Sequence, residues 1–96
     1  MKQLYEVINQ LSALEGKLND KEEYQRYFMR CKQSFEEIGI NYYSPLNEKY
    51  NETRTDVEAN ITGTETANMV ITQVIKPVIL HDGLIAQRGI VIVEGK

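Results

Sequence analysis

The sequence predicts an α+β protein, with an N-terminal antiparallel helical hairpin followed by a small all-β domain of short strands. Two observations predict this division. Up to residue 38, apolar residues recur at spacings of three and four, as on one face of a helix. From residue 55 onward, β-branched residues occur in short runs separated by turn-forming residues. We therefore expect a hairpin over residues 1–39 and a β-domain over residues 40–96.

The first helix is predicted over residues 2–18. The second is expected to begin at an N-cap, Asp20, with Glu23 completing an acidic capping box. It should end near Ile38, before a left-handed C-cap at Gly39. Each helix has one apolar stripe. The stripes consist of Leu4, Val7, Leu11, Leu14 and Leu18 in the first helix, and of Tyr24, Tyr27, Phe28, Cys31, Phe35 and Ile38 in the second.

The short connection between the two helices predicts that they run antiparallel. Two helices alone bury little apolar surface, so we expect two hairpins to pair as a four-helix bundle in a homodimer. The residues expected in the dimer interface are Leu4, Val7, Leu11, Leu14, Leu18, Phe28 and Phe35.

The second half of the chain is expected to contain the strands. Residues 40–43 form a short extended segment, and residues 44–53 form a loop. In the strand predicted at 55–62, Val57, Ala59 and Ile61 share one side. After a loop at 63–68, strands are expected at about 69–75, 78–80, 84–87 and 90–94. Asp82-Gly83 is the strongest hairpin signal in the chain.

Composition excludes several classes of protein. The 96 residues carry a net charge of −3 with acidic and basic residues mixed, which argues against a nucleic-acid partner. One cysteine, Cys31, cannot form an internal disulfide, and no apolar run is long enough to cross a bilayer. We therefore expect a soluble protein of the reducing cytoplasm, without a membrane partner.

The residue types that carry chemistry are not arranged as an active site. His81 precedes Asp-Gly, which favours a turn residue over a metal ligand. Cys31 lies on an apolar stripe, which favours a buried thiol. The pairs Glu22-Glu23 and Glu36-Glu37 are typical of solvated charges at helix ends. We expect no enzyme activity, no metal and no cofactor.

Several segments resemble the GrpE family, the nucleotide exchange factors of DnaK-type chaperones. Residues 4–14, LYEVINQLSAL, are similar to the family's leucine-rich bundle helix. Residues 35–40, FEEIGI, resemble the exit from its second bundle helix. Tyr50-Asn51-Glu52 falls where the family has Phe/Leu-Asp-Pro, and Ile90-Val-Ile-Val93 is similar to the closing strand. The resemblance covers nearly the whole chain, although the family's long N-terminal paired helices are missing.

The resemblance implies that a homodimer binds the nucleotide-binding domain of a DnaK-type chaperone. ADP release would follow because the factor favours the open cleft. Matching family positions implies chaperone contact by Tyr50, Glu52, Ile75, Leu84 and Val93. For Ile75 and Val93 a core position is the alternative, because strand side chains alternate between faces.

The chain also departs from the family pattern. Thr55 stands where the family usually has His, and Leu84 and Gln87 stand at two usual Arg positions. These departures leave an alternative open, in which the chain is a GrpE-fold dimerisation or adaptor module without exchange activity.

Overall fold

The computed structural model describes residues 2–63 and 68–95, and it confirms the α+β class. Two helices form a hairpin and are followed by six short strands in two three-stranded sheets. The helices are α1 (Lys2–Lys17) and α2 (Glu22–Glu37). The strands are β1 (Ile40–Tyr43), β2 (Val57–Thr62), β3 (Met69–Lys76), β4 (Val78–His81), β5 (Leu84–Gln87) and β6 (Gly89–Gly95). Neither described helix is long and apolar enough to cross a bilayer.

The end of α2 follows the prediction, but its start does not. Gly39 has a φ of 83° and ends α2, as expected for a left-handed C-cap. The predicted cap at Asp20 is wrong. The residue before the helix is Lys21, with extended backbone and no side-chain hydrogen bond. The interhelical turn closes through Lys21 N–H donating to Leu18 C=O at 3.0 Å, so the helix starts too late for Asp20 to cap it.

The first sheet has the strand order β1-β4-β5, and all its pairs are antiparallel. Asp82 and Gly83 join β4 to β5 with φ values of 53° and 82°. Two consecutive positive φ values are the geometry of a type I′ hairpin turn, which confirms the predicted hairpin. β5 is an edge strand of this sheet.

The second sheet has the order β2-β6-β3, in which β6 pairs parallel to β2 and antiparallel to β3. Val57 is buried and Ala59 is half-buried, as predicted, but Ile61 near the end of β2 is 47% exposed. The predicted loop at 63–68 lies mostly outside the described residues.

The buried apolar residues form two small cores, and β4 contributes to both of them, through Ile79 and Val78. The first core consists of Ile8, Ile40, Tyr42 and Ile79, and the second of Val57, Ile71, Val78, Val91 and Val93. Ile8 belongs to α1 and is 0% exposed, so α1 covers one side of the first core. The boundary predicted at residue 39 therefore separates helices from strands, but the first core contains residues from both sides of it.

A polar cluster ties the end of β1 to the start of β2. Tyr43 donates to Asp56 at 2.6 Å, and Arg54 contacts Asp56 at 2.9 and 3.1 Å and Glu48 at 3.1 Å. The hydrogen bond from Arg54 lowers the pKa of Asp56 from 3.8 to about 2. Burial, together with the bond to Asp56, raises the pKa of Tyr43 to about 12. The cluster thus links the first sheet to the second through charged hydrogen bonds.

Asp56→Asn should lower the free energy of unfolding at pH 7 by about 1 kcal/mol, since solvent screens this partly exposed ion pair. The pKa of Asp56 is lower in the folded state, so its contribution is present above about pH 4 and is lost as the pH falls toward about 2. Urea unfolding at several pH values should show the difference from the parent vanishing in acid. Asp20→Asn, in the exposed interhelical turn, is the matched control, and a difference that persists at pH 2 would contradict the assignment.

Candidate functional site

The hairpin carries a contiguous apolar face on the side away from the sheets. We call it the hairpin face, and it consists of Val7, Leu11, Leu14, Leu18, Tyr24, Tyr27, Phe28 and Cys31. Seven of these side chains, all except Val7, line one groove of about 550 Å³ between α1 and α2. A second hollow, lined in part by Val7, Leu11 and Leu14, continues along α1.

Several apolar side chains of the hairpin face are about half exposed to solvent. Val7 is 51% exposed, Leu14 47%, Tyr24 41% and Tyr27 50%. Isolated exposed apolar residues are common, whereas contiguous exposed apolar faces are frequent at interaction sites of proteins in general. Phe28, 5% exposed, forms the base of the groove. The arrangement provides a surface for packing against other helices.

Two residues expected in the dimer interface face the sheets instead. Leu4 and Phe35 pack against the first core, and Phe35 stacks edge-to-face on Tyr42 with ring centroids 6.1 Å apart. We therefore leave both out of the proposed interface. Cys31 was expected to be a buried thiol, and the structure places it half-buried in the wall of the groove.

A cleft of about 350 Å³, lined by both polar and apolar side chains, lies on the other side of the hairpin, against β1. Lys32 Nζ contacts Glu15 at 3.1 Å and lies 5.4 Å from the centre of the Tyr42 ring. Burial, with a smaller effect from Glu15, raises the pKa of Tyr42 to about 12. Because Lys32 and Glu15 neutralise each other, the cleft presents no net charge to a ligand, and we read these contacts as packing between α2, α1 and β1.

The five residues matched to chaperone-contacting positions do not share one environment. Leu84, at the start of β5, is 75% exposed, and Ile75, on the edge strand β3, is 51% exposed. Glu52 is exposed in the loop before β2. Tyr50 is half-buried and packs against the second core.

Val93 is 0% exposed in the second core, and a buried side chain cannot contact a partner in this conformation. The alternative of a core position therefore fits Val93. Leu84, Ile75 and Glu52 remain available at the surface, on three separate elements.

Gln87 and Arg88 are engaged inside the chain. Gln87 exchanges hydrogen bonds with Asn9 of α1 at 2.7 and 3.2 Å and donates to the Pro77 carbonyl at 2.9 Å. Arg88 donates to the Val57 carbonyl at 2.7 Å, to the Thr55 carbonyl at 3.1 Å and to Glu58 at 3.2 Å. Sequence reasoning missed both roles, because all the partners except Pro77 lie 30 or more residues away and no local pattern indicates them.

The candidates for chemistry remain dispersed. His81 lies at the end of β4, where its Nδ1 pairs with the Tyr5 hydroxyl at 3.1 Å. Within the described ranges 2–63 and 68–95, no group of three or more His, Cys, Asp or Glu side chains is placed to hold a metal ion.

The chain matches no protein family model, no curated protein and no solved structure.

Proposed function

We propose that the chain is a homodimeric nucleotide exchange factor of the GrpE type, which acts on a DnaK-type chaperone during protein folding in the cytoplasm. The observation that carries the proposal is the uncovered hairpin face, opposite a β-domain with apolar residues on its strand edges. A helical pairing surface and a separate docking surface are what such a factor needs. The resemblance of the ordered segments to the GrpE family supports the choice of partner.

The dimer forms by pairing the hairpin faces of two chains. Each helix has 16 residues, so the face is about 24 Å long. Pairing two faces removes Val7, Leu14, Tyr24 and Tyr27 from water on both copies, and burial of apolar area favours association. A two-fold axis makes the two surfaces identical, as in most homodimers.

The β-domain then contacts the chaperone through Leu84 and Ile75, with Glu52 at the rim. The factor binds the open form of the nucleotide cleft more tightly than the closed form. Bound factor therefore shifts the chaperone toward the form that holds ADP weakly, by no more than this difference in affinity. No side chain of the factor takes part in bond making or breaking.

A specific observation favours the second candidate, an adaptor module without exchange activity. Gln87 occupies a position where the family usually has Arg, and its amide is used to hold α1. Arg88, the nearest guanidinium, holds β2. In this conformation neither side chain is free to contact the chaperone. Binding to the chaperone without faster ADP release is therefore the result expected of the second candidate.

Release of a fluorescent ADP analogue from a DnaK-type chaperone tests the proposal. The parent chain should accelerate release by about tenfold or more, equivalent to about 1.4 kcal/mol. Leu84→Glu should abolish most of this acceleration, because it places a charge where an apolar contact is proposed. Leu84→Met keeps the apolar side chain and is the matched control.

Binding to the chaperone without faster release would support the adaptor function. Absence of both binding and release by the correctly folded parent would refute the chaperone partner. Equal activity of the Glu and Met variants would remove Leu84 from the contact surface.

A further inference from the structure

Two polar side chains of α1, one helical turn apart, bind opposite ends of the β4–β5 hairpin. The Tyr5 hydroxyl pairs with His81 Nδ1 at 3.1 Å, and the two rings meet edge-to-face with centroids 6.5 Å apart. Asn9 exchanges two amide hydrogen bonds with Gln87, at 2.7 and 3.2 Å. His81 lies beside the turn, whereas Gln87 is the last residue of β5.

The two contacts match in spacing. Tyr5 and Asn9 are separated by about 6.0 Å along the axis of α1. Gln87 pairs with Ile79 in the sheet, so the contacts are two residues of β4 apart, which is about 6.7 Å. As α1 advances from Tyr5 to Asn9, β4 recedes from His81 to Ile79. α1 and β4 therefore run antiparallel, and the spacing of the two contacts along the helix nearly equals their spacing along the strand. Both polar contacts can therefore form at the same time.

The apolar packing between α1 and the first sheet cannot by itself fix the angle between the helix and the sheet. Ile8 lies on the same side of α1 and enters the first core next to Ile79. Leu4 of α1 and Phe35 of α2 pack against the same core, and this apolar packing holds the hairpin on the sheet but leaves some freedom of angle, because it has little directionality. Hydrogen bonds on both sides of Ile8 are directional and remove that freedom.

We propose that Tyr5–His81 and Asn9–Gln87 form a two-point clasp that sets the angle between the helical hairpin and the first sheet. Asn9 and Gln87 are positioning residues, since they act by directing other groups. With the hairpin fixed in the dimer, the clasp sets the direction in which β5 and Leu84 face. The effect of the clasp on how Leu84 meets a chaperone rests on the proposed exchange activity. The existence of the clasp does not depend on that activity.

Asn9→Ala is the informative variant, because Asn9 contributes the α1 half of the amide pair and leaves Gln87 bonded to Pro77. Distances between spin labels at Lys17→Cys on α1 and at the exposed position Asn41→Cys on β1 of the first sheet report the angle, in a Cys31→Ser chain diluted with unlabelled protein. We expect a wider distance distribution in Asn9→Ala and recovery of the parent width in Asn9→Gln, which keeps an amide. Gln10→Ala is the matched control, because the Gln10 side chain bonds Glu6 within α1.

Tyr5→Phe removes the other contact without changing the ring and should also widen the distribution. Circular dichroism checks that each variant is folded. If folded Asn9→Ala and Tyr5→Phe both keep the parent distribution, the clasp does not set the angle and the proposal is overturned. If Asn9→Gln stays as wide as Asn9→Ala, the amide pair is not the cause and the proposal is equally overturned.

ADP release from the chaperone supplies a second readout. Asn9→Ala should slow the stimulated release severalfold, and Asn9→Gln should restore it. If the parent chain does not stimulate release, the proposed function fails, but the label distances still decide the clasp.

Discussion

Leu14→Asp should convert the protein from a dimer into a folded monomer. Leu14 is 47% exposed in the single chain and lines both apolar hollows of the hairpin face. The substitution therefore costs the monomer little, but it places one charge from each copy in an apolar interface. A penalty of about 3 kcal/mol weakens the dimer by about 100-fold or more in Kd. Sedimentation equilibrium over a range of concentrations measures this shift.

Lys17→Asp is the control for adding an acidic residue to α1. Lys17 is exposed and lies outside the hairpin face, so its replacement should leave the dimer intact. A monomeric parent chain at high concentration would contradict the bundle model. An unchanged Kd for Leu14→Asp would place the interface elsewhere on the molecule.

Ile8→Ala should lower the free energy of unfolding by about 2–5 kcal/mol, the usual cost of removing a large buried aliphatic side chain. Ile8 is 0% exposed and is the fully buried residue that α1 contributes to the first core. Its loss leaves a cavity beside Ile40 and Ile79 and weakens the attachment of α1. Chemical denaturation monitored by circular dichroism gives the size of the change.

Val7→Ala is the matched control in the neighbouring position. Val7 is 51% exposed on the hairpin face, so its truncation should change unfolding of the monomer by little and weaken dimerisation instead. The two adjacent residues thus separate folding from association. Equal effects of both substitutions on monomer stability would show that α1 is not oriented with Ile8 toward the sheet.

Local patterns in the sequence were enough to locate nearly all the secondary structure. The spacing of Leu11, Leu14 and Leu18 predicted α1, and Gly39 and Asp82-Gly83 marked the end of α2 and the β4–β5 turn. These signals act over a few residues, through backbone preferences that do not depend on the rest of the fold. The Asp20 cap failed because the turn geometry, set by Lys21 and Leu18, decided where α2 begins.

Contacts between distant segments could not be predicted in this way. Nothing near Val57 indicates that β2 pairs parallel to β6, because strand partners are chosen by the packing of the whole sheet. No local pattern indicates that Asn9 and Gln87 are partners, because their contact exists only where α1 docks on the first sheet. Leu4 and Phe35 have stripe spacing, and the structure packs both against the first core. Periodicity defines a face and does not say which neighbour covers it.

The position of β6 between β2 and β3 has a consequence for folding during synthesis. β1, β4 and β5 can assemble under α1 once residue 87 has left the ribosome, whereas β2 and β3 share no partner except β6 in the second sheet. Val78 of β4 packs against the same core, but the backbone groups with which β2 and β3 pair in this sheet have no partner until residues 89–95 emerge. During that interval the nascent chain exposes two unpaired strands, which are the segments most prone to pair with another polypeptide.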